Sequence, residues 1–245
     1  MSVSNPSPVV TGLSIVIPAY DELLNLRDLV PEIKRVTQHL QNFSTEILIV
    51  LPSIAKPEEI QEIKNFGATV IMRQPTDSFG DALRSGFAAV SDTSEFVLVM
   101  DADFSHNPLA IPRLIAASSG VHVVVASRYT HGGTTANSFL LKAMSRLLNL
   151  AYSIILGINC RDISTNYKLY RRSDLKNIDL NCRDFDIVEE ILFKVKLIHG
   201  HSFVIKEVGD HFSERKFGVT KRQLGPFIIS YFRTLVRLKI SSKKK

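Results

Sequence analysis

The chain predicts an α/β fold with a mostly parallel central sheet flanked by helices, and three observations carry that reading. Short β-branched runs alternate with helically periodic stretches through roughly the first 130 residues. The runs are apolar throughout instead of alternating, which suits strands covered on both faces. Three segments, Pro18–Glu22, Asp101–Asp103 and Ser127–Tyr129, fall where such strands end. In open sheets of this kind ligands bind outside the carboxyl ends of the strands, so the three are expected to converge on one crevice.

Each element has its own signal. "LSIVIPAY" (Leu13–Tyr20) is a β-branched run closed by a proline, a strand entering a loop. The next segment places Leu23, Leu26, Leu29, Val30, Ile33, Val36 and Leu40 near one helical face, with a kink or break expected at Pro31. "TEILIVL" (Thr45–Leu51) is the second strand, and "KPEEIQEIKNFG" is a helix with Pro in its first turn and Gly at its end. "ATVIMR" is the third strand, "DSFGDALRSGFAAVS" a Gly-punctuated loop entering a helix, "EFVLVM" the fourth strand, and "VHVVVAS" (Val121–Ser127) the fifth.

The 245 residues suit one domain spanning 1–245, with no internal repeat or linker. The two cysteines, Cys160 and Cys182, are too few for a disulfide framework, and they and the histidines lack metal-ligand spacing. The N-terminus lacks the features of a signal peptide, and no run approaches an uncharged membrane span, so a cytoplasmic location is expected. The net charge of +6 is uneven: Arg215–Lys245 holds ten Lys or Arg and no acid, which leaves −4 on the remainder. A basic tail suits an anionic partner. Nucleic acid is disfavoured, because neither interleaved aromatics nor a known motif accompanies the charge.

The most informative stretch is "FVLVMDADFSHNP". In extended chain, Asp101 and Asp103 point to the same side, and two anions there repel unless a cation or proton lies between them. Mg²⁺ or Mn²⁺ takes oxygen ligands and is commonly shared between carboxylates and a substrate diphosphate; two solvated carboxylates in a loop are the alternative.

At this point a resemblance joins the reading. "SIVIPAYDE", "FGDALRSGF", "VLVMDADFSHNP", "ASRYTHGG", "LKAMSRLLN", "RDISTNYKLYRR" and "FSERKFGVTK" occur in the order found in glycosyltransferase family 2, with the GT-A fold. Within that family the chain resembles the dolichyl- or polyprenyl-phosphate mannose synthases, from Ser14 to about Arg237. The resemblance implies base contacts at Pro18, Tyr20 and Glu22, and a metal–diphosphate role for Asp101 and Asp103. It implies an active-site arginine at Arg128, and acceptor-side positions at Ser145, Arg146 and Asn149. It further aligns Asp162 and Arg171, and implies a closing loop with Arg215 and Lys221. Arg128, Lys142, Ser145 and Arg146 are the candidates for the acceptor phosphate; structural ion pairs are the competing role for the basic ones.

The implied reaction is an inverting transfer of a sugar, with GDP-mannose favoured, onto a polyprenyl or dolichyl monophosphate. The resemblance is broken at "ILIVLPSIA", where Leu51 and Pro52 replace a usual pair of aspartates that contact the nucleoside. A UDP-sugar donor and a non-catalytic partner protein of the same fold therefore stand as alternatives. Asn166 replaces a glycine, a change that Asn's tolerance of left-handed backbone makes mild. The tail over 226–245 places Phe227, Ile228, Tyr231, Leu235 and Leu238 near one helical stripe, suited to the cytosolic face of a membrane or to core packing. A membrane subunit is the other route to the lipid. Leu147–Ile158 reads as an apolar helix too short to span, with core packing the favoured role.

Overall fold

The computed structural model describes residues 10–217 and 224–241. Its elements run β1 (Thr11–Pro18), α1 (Leu23–Thr37), β2 (Phe43–Leu51), α2 (Pro57–Asn65), β3 (Thr69–Met72), α3 (Phe79–Ala89), β4 (Ser94–Val99), α4 (Ile111–Ala116) and β5 (Val123–Ser127). They continue with β6 (Thr134–Thr135), α5 (Phe139–Leu156), β7 (Lys168–Arg171), α6 (Arg172–Leu175), α7 (Ile187–His199), β8 (Ile205–Gly209), β9 (His211–Phe212) and α8 (Leu224–Ser241). The main sheet has the order β3-β2-β1-β4-β7-β5-β8, and β6 and β9 form a small second sheet. Every pairing in the main sheet is parallel except those of β7, which runs antiparallel to both β4 and β5.

This order creates a switch point. From β1 the chain steps outward through β2 and β3, then returns to lay β4 on the other side of β1. A crevice opens beyond the carboxyl ends of β1 and β4, where loops leave in opposite directions. Antiparallel β7 has a second effect: it brings the turn before its first residue to that same end of the sheet.

The sheet is covered on both faces, as the apolar runs predict. Along β1, Leu13, Ile15 and Ile17 face a core shared with α1 and α4, while Val16 faces one shared with α3, α5, α7 and α8. The expected break at Pro31 does not occur, and α1 runs through it. Pro31 lies on the exposed side with Arg27, whose unpaired carbonyl water can reach.

Two further expectations are corrected. Leu147–Ile158 is not a core helix: Leu147–Leu156 belongs to the 18-residue α5, of which only Asn149, Tyr152 and Leu156 are buried, while Ile158 follows the helix and is buried in the core. Phe139 is 87% exposed, Leu147 69% and Ile154 71%. Nor is the tail stripe free, because Tyr231, Leu235 and Leu238 of α8 are buried in the core. The side chains of Phe227 and Ile228 lie outside what is described.

The glycines of α3 serve close packing. A Cβ on Gly86 would lie 2.4 Å from Val16 Cγ1, and one on Gly80 2.2 Å from the carbonyl oxygen of Cys182. Gly86→Ala is therefore expected to push α3 off β1 and cost about 1–3 kcal/mol of stability, measured by urea unfolding. An unchanged midpoint would show that the sheet yields.

Candidate active site

The crevice holds a cavity of about 890 Å³. One end is polar and is lined by Glu22, Asp101, Asp103 and Arg215; the other is apolar and is lined by Leu141, Met144, Leu147, Leu148 and Ala151 of α5.

Asp101 and Asp103 lie past the end of β4, in a bend and not in extended chain. Phe104 has φ +66°, and this turn brings the Ser105 N–H (3.0 Å) and Oγ (2.6 Å) back to Asp103 Oδ1. Burial opposes the charge on Asp103, but the Ser105 hydrogen bonds, with His106 and Arg215 nearby, outweigh it and hold the carboxyl below its ordinary range. Asp101 accepts at Oδ1 from Asn166 Nδ2 (2.9 Å), and its backbone N–H donates to His106 Nδ1 (3.0 Å). A neutral ring that accepts at Nδ1 carries its proton on Nε2, which lies 3.7 Å from Asp101 Oδ2.

Arg215 joins the two ends of the chain at this point. Its Nη1 donates to Glu22 Oε1 (2.9 Å), and its Nη2 lies 3.1 Å from Asp103 Oδ2. Asn25 holds the other oxygen of Glu22 (2.6 Å). The segment is strapped down by Ser213 N–H to Ser105 O (3.0 Å), Lys216 N–H to Asp103 O (3.1 Å) and Phe217 N–H to Asn25 Oδ1 (3.1 Å). Lys221 lies outside the described residues.

At the end expected from the sequence to take the base, the cavity is lined by Pro18, Tyr20, Glu22 and Arg73. Leu51 is buried in the core, and the next residue with polar reach, Ser53, donates to Asp77 from its N–H (2.7 Å) and Oγ (2.6 Å). No carboxylate from β2 therefore reaches the cavity among the described residues. Glu46, at the far end of β2, accepts from the Ser91 N–H (2.8 Å), well away from the crevice. The sequence reading missed Arg73, which donates to Ala19 O (2.7 Å) and Asp77 O (2.9 Å). The signal was a charge at the end of an apolar strand, the same signal that drew attention to Asp101.

On the acceptor side the candidates separate. Ser145 lines the cavity, whereas Lys142 and Arg146 of the same helix are not part of its lining, and the Arg146 guanidinium lies 5.3 Å from the centroid of the Tyr129 ring. Arg128 lines the cavity but is bound to Asp162 through Nε (2.8 Å) and Nη2 (2.6 Å), and to Ser164 Oγ through Nη2 (3.0 Å). Burial works against its charge, but Asp162 outweighs burial and raises the guanidinium above its ordinary value. Arg171 sits at the other end of β7 and donates to Val121 O (3.0 Å), so it is not part of the site.

The turn that carries these partners is held from below. Ser164 N–H donates to Asn149 Oδ1 on α5 (2.9 Å), and fully buried Lys168 donates to the carbonyls of Ile163 (2.8 Å) and Thr165. Asn166 is not left-handed: the described non-glycine residues with positive φ are Asp21, Asn42 and Phe104. The expected reason for Asn at this position is thereby corrected; its amide is in use.

The donor set suits a hard divalent cation. Asp101 and Asp103 line the polar end beside Glu22, and no group of three or more His, Cys, Asp or Glu is placed to hold a metal by itself among the described residues. Mg²⁺ and Mn²⁺ are commonly held by one or two carboxylates, with phosphate oxygens and water completing the shell.

Residues 14–179 match the family described as Glycosyl transferase family 2. The chain is 32% identical over 234 residues to the dolichol-phosphate mannosyltransferase of Pyrococcus furiosus, covering 92% of this chain and 63% of that protein's length. It is 27% identical to the polyprenol monophosphomannose synthase of Mycolicibacterium smegmatis (84% of this chain, 79% of that protein). It is 29% identical to the undecaprenyl-phosphate mannosyltransferase of Micrococcus luteus (86% and 87%). The structure of glucosyl-3-phosphoglycerate synthase from Mycobacterium tuberculosis in complex with Mg²⁺ and uridine-diphosphate superposes with a TM-score of 0.67 at 18% identity, covering 94% of this chain and 79% of that one. That likeness supports the GT-A fold expected from the sequence.

Removing the partner of Arg128 tests how the site is held. Asp162→Asn would leave a buried guanidinium uncompensated and is expected to cost about 3–5 kcal/mol in chemical denaturation. A cost below about 1 kcal/mol, the level of an exposed pair, would show that water reaches Arg128.

Proposed function

The chain belongs to glycosyl transferase family 2, and from that premise we propose that it moves a sugar from a nucleotide donor onto a polyprenyl monophosphate, with a divalent metal at Asp101 and Asp103. One observation carries the reading: a single cavity joins a polar end bearing those carboxylates to an apolar end built from α5. Such a cavity suits an acceptor that is a phosphate at one end and a hydrocarbon along the rest. The names of the three relatives agree with this acceptor class.

In this reading Tyr20 and Arg73 border the base, and Arg215 moves from Asp103 and Glu22 to the diphosphate as charge develops there. The metal, when bound, supplies Lewis-acid stabilisation of the leaving diphosphate. The acceptor needs little activation, because a phosphate monoester has a second pKa near ~6 and is largely dianionic at neutral pH. Direct attack by its oxygen on the anomeric carbon breaks the bond to the diphosphate and inverts the sugar. Ser145 and Arg128 border its path, with Arg128 held in place by Asp162. GDP-mannose is the favoured donor. A UDP-sugar is the second reading, since β2 brings no carboxylate to the base end to select between guanine and uracil.

We also propose that α5 seats the protein on the cytosolic face of a membrane. Among the described residues α5 is the one helix long and apolar enough to cross a membrane by length and composition, yet it carries Lys142 and Arg146 and lines the cavity with one side. A helix of this kind lies in the interface with its apolar side in the acyl region. Val236 and Ile240 of α8 are exposed, and Lys239 of that helix donates to Ile155 O (2.9 Å), so basic and apolar groups continue beside it.

Transfer of radiolabelled sugar from a GDP- and UDP-sugar panel to a polyprenyl phosphate with Mn²⁺ tests the reaction. Asp101→Ala is expected to lower turnover by at least ~10²-fold, the loss of a few kcal/mol of charge stabilisation. Unchanged turnover would reject the metal role. For the membrane, Leu147→Asp with Ile154→Asp is expected to reduce flotation with anionic vesicles by ~10-fold or more, given a transfer cost of about 1.5–3 kcal/mol for each lost apolar side chain. Undiminished flotation would reject α5 as the contact.

A further inference from the structure

The turn over residues 162–167 is more tightly tied than a loop needs to be. Asp162 is held by Arg128, Ser164 by Asn149 of α5, and the carbonyls of Ile163 and Thr165 by the ammonium of Lys168. The Tyr167 hydroxyl donates to Asn107 O (2.9 Å), and its ring stacks on His106 at 4.9 Å between centroids. The product of this bracing is one contact toward the crevice: the Asn166 amide, 9% exposed, donating to Asp101 Oδ1.

That contact acts on a particular degree of freedom. A carboxylate past the end of a strand can rotate about its Cβ–Cγ bond, and both oxygens then compete for whatever approaches. With Oδ1 fixed by the amide and the backbone N–H fixed on His106, the rotation is stopped. Oδ2 has the His106 Nε2 at 3.7 Å. On the far side of the amide lies a small polar cavity of about 50 Å³, bordered by Asp101, Arg128, Asn166 and Phe212. Phe185, Val188 and Tyr231 line the same cavity, so the amide sits among apolar side chains and its hydrogen bond to Asp101 sets its direction.

The geometry points to Asn166 as a positioning residue that fixes the Asp101 carboxylate so that Oδ2 is presented to a divalent cation, with Lys168 holding the turn that aims it. The inference rests on the reading of Asp101 as a metal ligand. It adds to that reading the source of the carboxylate's orientation: an amide from the turn that precedes β7. Outer-shell partners of this kind typically change metal affinity or activity by ~10–100-fold when removed.

The test is Mn²⁺ binding to the full chain, followed by electron paramagnetic resonance with GDP and, separately, UDP present. Asn166→Ala and Asn166→Gly are expected to raise the Mn²⁺ dissociation constant ~10–100-fold. Their thermal midpoints are expected to stay within about 4 °C of the parent, since one hydrogen bond is lost from a turn that Arg128, Asn149 and Lys168 still brace. Asn166→Ser, which keeps a donor in shorter reach, is expected to recover part of the affinity. Lys168→Met is expected to lose Mn²⁺ affinity to a similar degree, and Lys168→Arg to recover part of it. If Asp101→Ala loses Mn²⁺ but both Asn166 variants bind it as the parent does, the positioning role is overturned and the metal site stands. If the parent binds no Mn²⁺ with either nucleotide, or Asp101→Ala binds it unchanged, the metal reading and this inference fall together.

Discussion

The site depends on one buried ion pair. Arg128 leaves the end of β5 and grips Asp162 through Nε and Nη2, with side chains 11% and 0% exposed. A carboxylate so far from water must be paired and hydrogen-bonded, and the guanidinium fork supplies two parallel donors. Stability alone does not explain such a pair, because its desolvation cost offsets much of its attraction. Its structural effect is clear: it fixes the turn before β7 against the end of β5. Since β7 is antiparallel, that turn stands at the mouth of the crevice, and Ser164 and Asn166 arrive there with it.

The pair also changes the charge balance of the site. Arg128 is already answered by Asp162 and cannot be counted as a spare cation for a phosphate. Glu22, Asp101 and Asp103 then face Arg215 as the cation that touches two of them. Around Arg215 the carboxylates outnumber the guanidinium, and Glu214 and Arg73 also line the cavity. An excess of carboxylates disfavours a bare diphosphate and favours a cation, which is the balance that the proposed divalent metal would supply. Arg215 fits this balance as a counter-ion able to exchange a carboxylate for a phosphate.

The covered, mostly parallel sheet and the position of Asp101 were legible in the sequence because they follow from local rules. Apolar runs of strand length announce a covered sheet, and a charge directly after such a run has to face the open end. The antiparallel β7 was not legible, since "KLYR" is too short to carry a direction and the partners of Tyr170, Val97 and Val123, are 73 and 47 residues upstream. Without β7, the Asn166 amide had no address, and backbone tolerance was the only available reason for an Asn. Arg128 was found, but its partner's role was not, because an ion pair between residues 34 apart leaves no periodic trace. The exposure of α5 was hidden for a different reason: a helix apolar on most sides reads the same whether it is enclosed by protein or faces something else that is apolar.

That last ambiguity bears on how the two ends of the cavity work together. α5 has only three buried residues, yet one of them, Asn149, accepts from the Ser164 N–H of the braced turn. The helix is thus fastened to the braced turn through Asn149, while most of its other residues are apolar. One side of it lines the cavity through Leu141, Met144 and Leu148, and another carries Phe139, Leu140, Leu150 and Ile154 outward. Leu147 belongs to both, lining the cavity while largely exposed. An apolar chain could therefore pass from the surroundings of α5 into the cavity without crossing a polar rim, and its headgroup would stop where Ser145, Arg128 and the carboxylates begin. A water-soluble acceptor gains nothing from such a path, whereas a phosphate on a long hydrocarbon can use all of it.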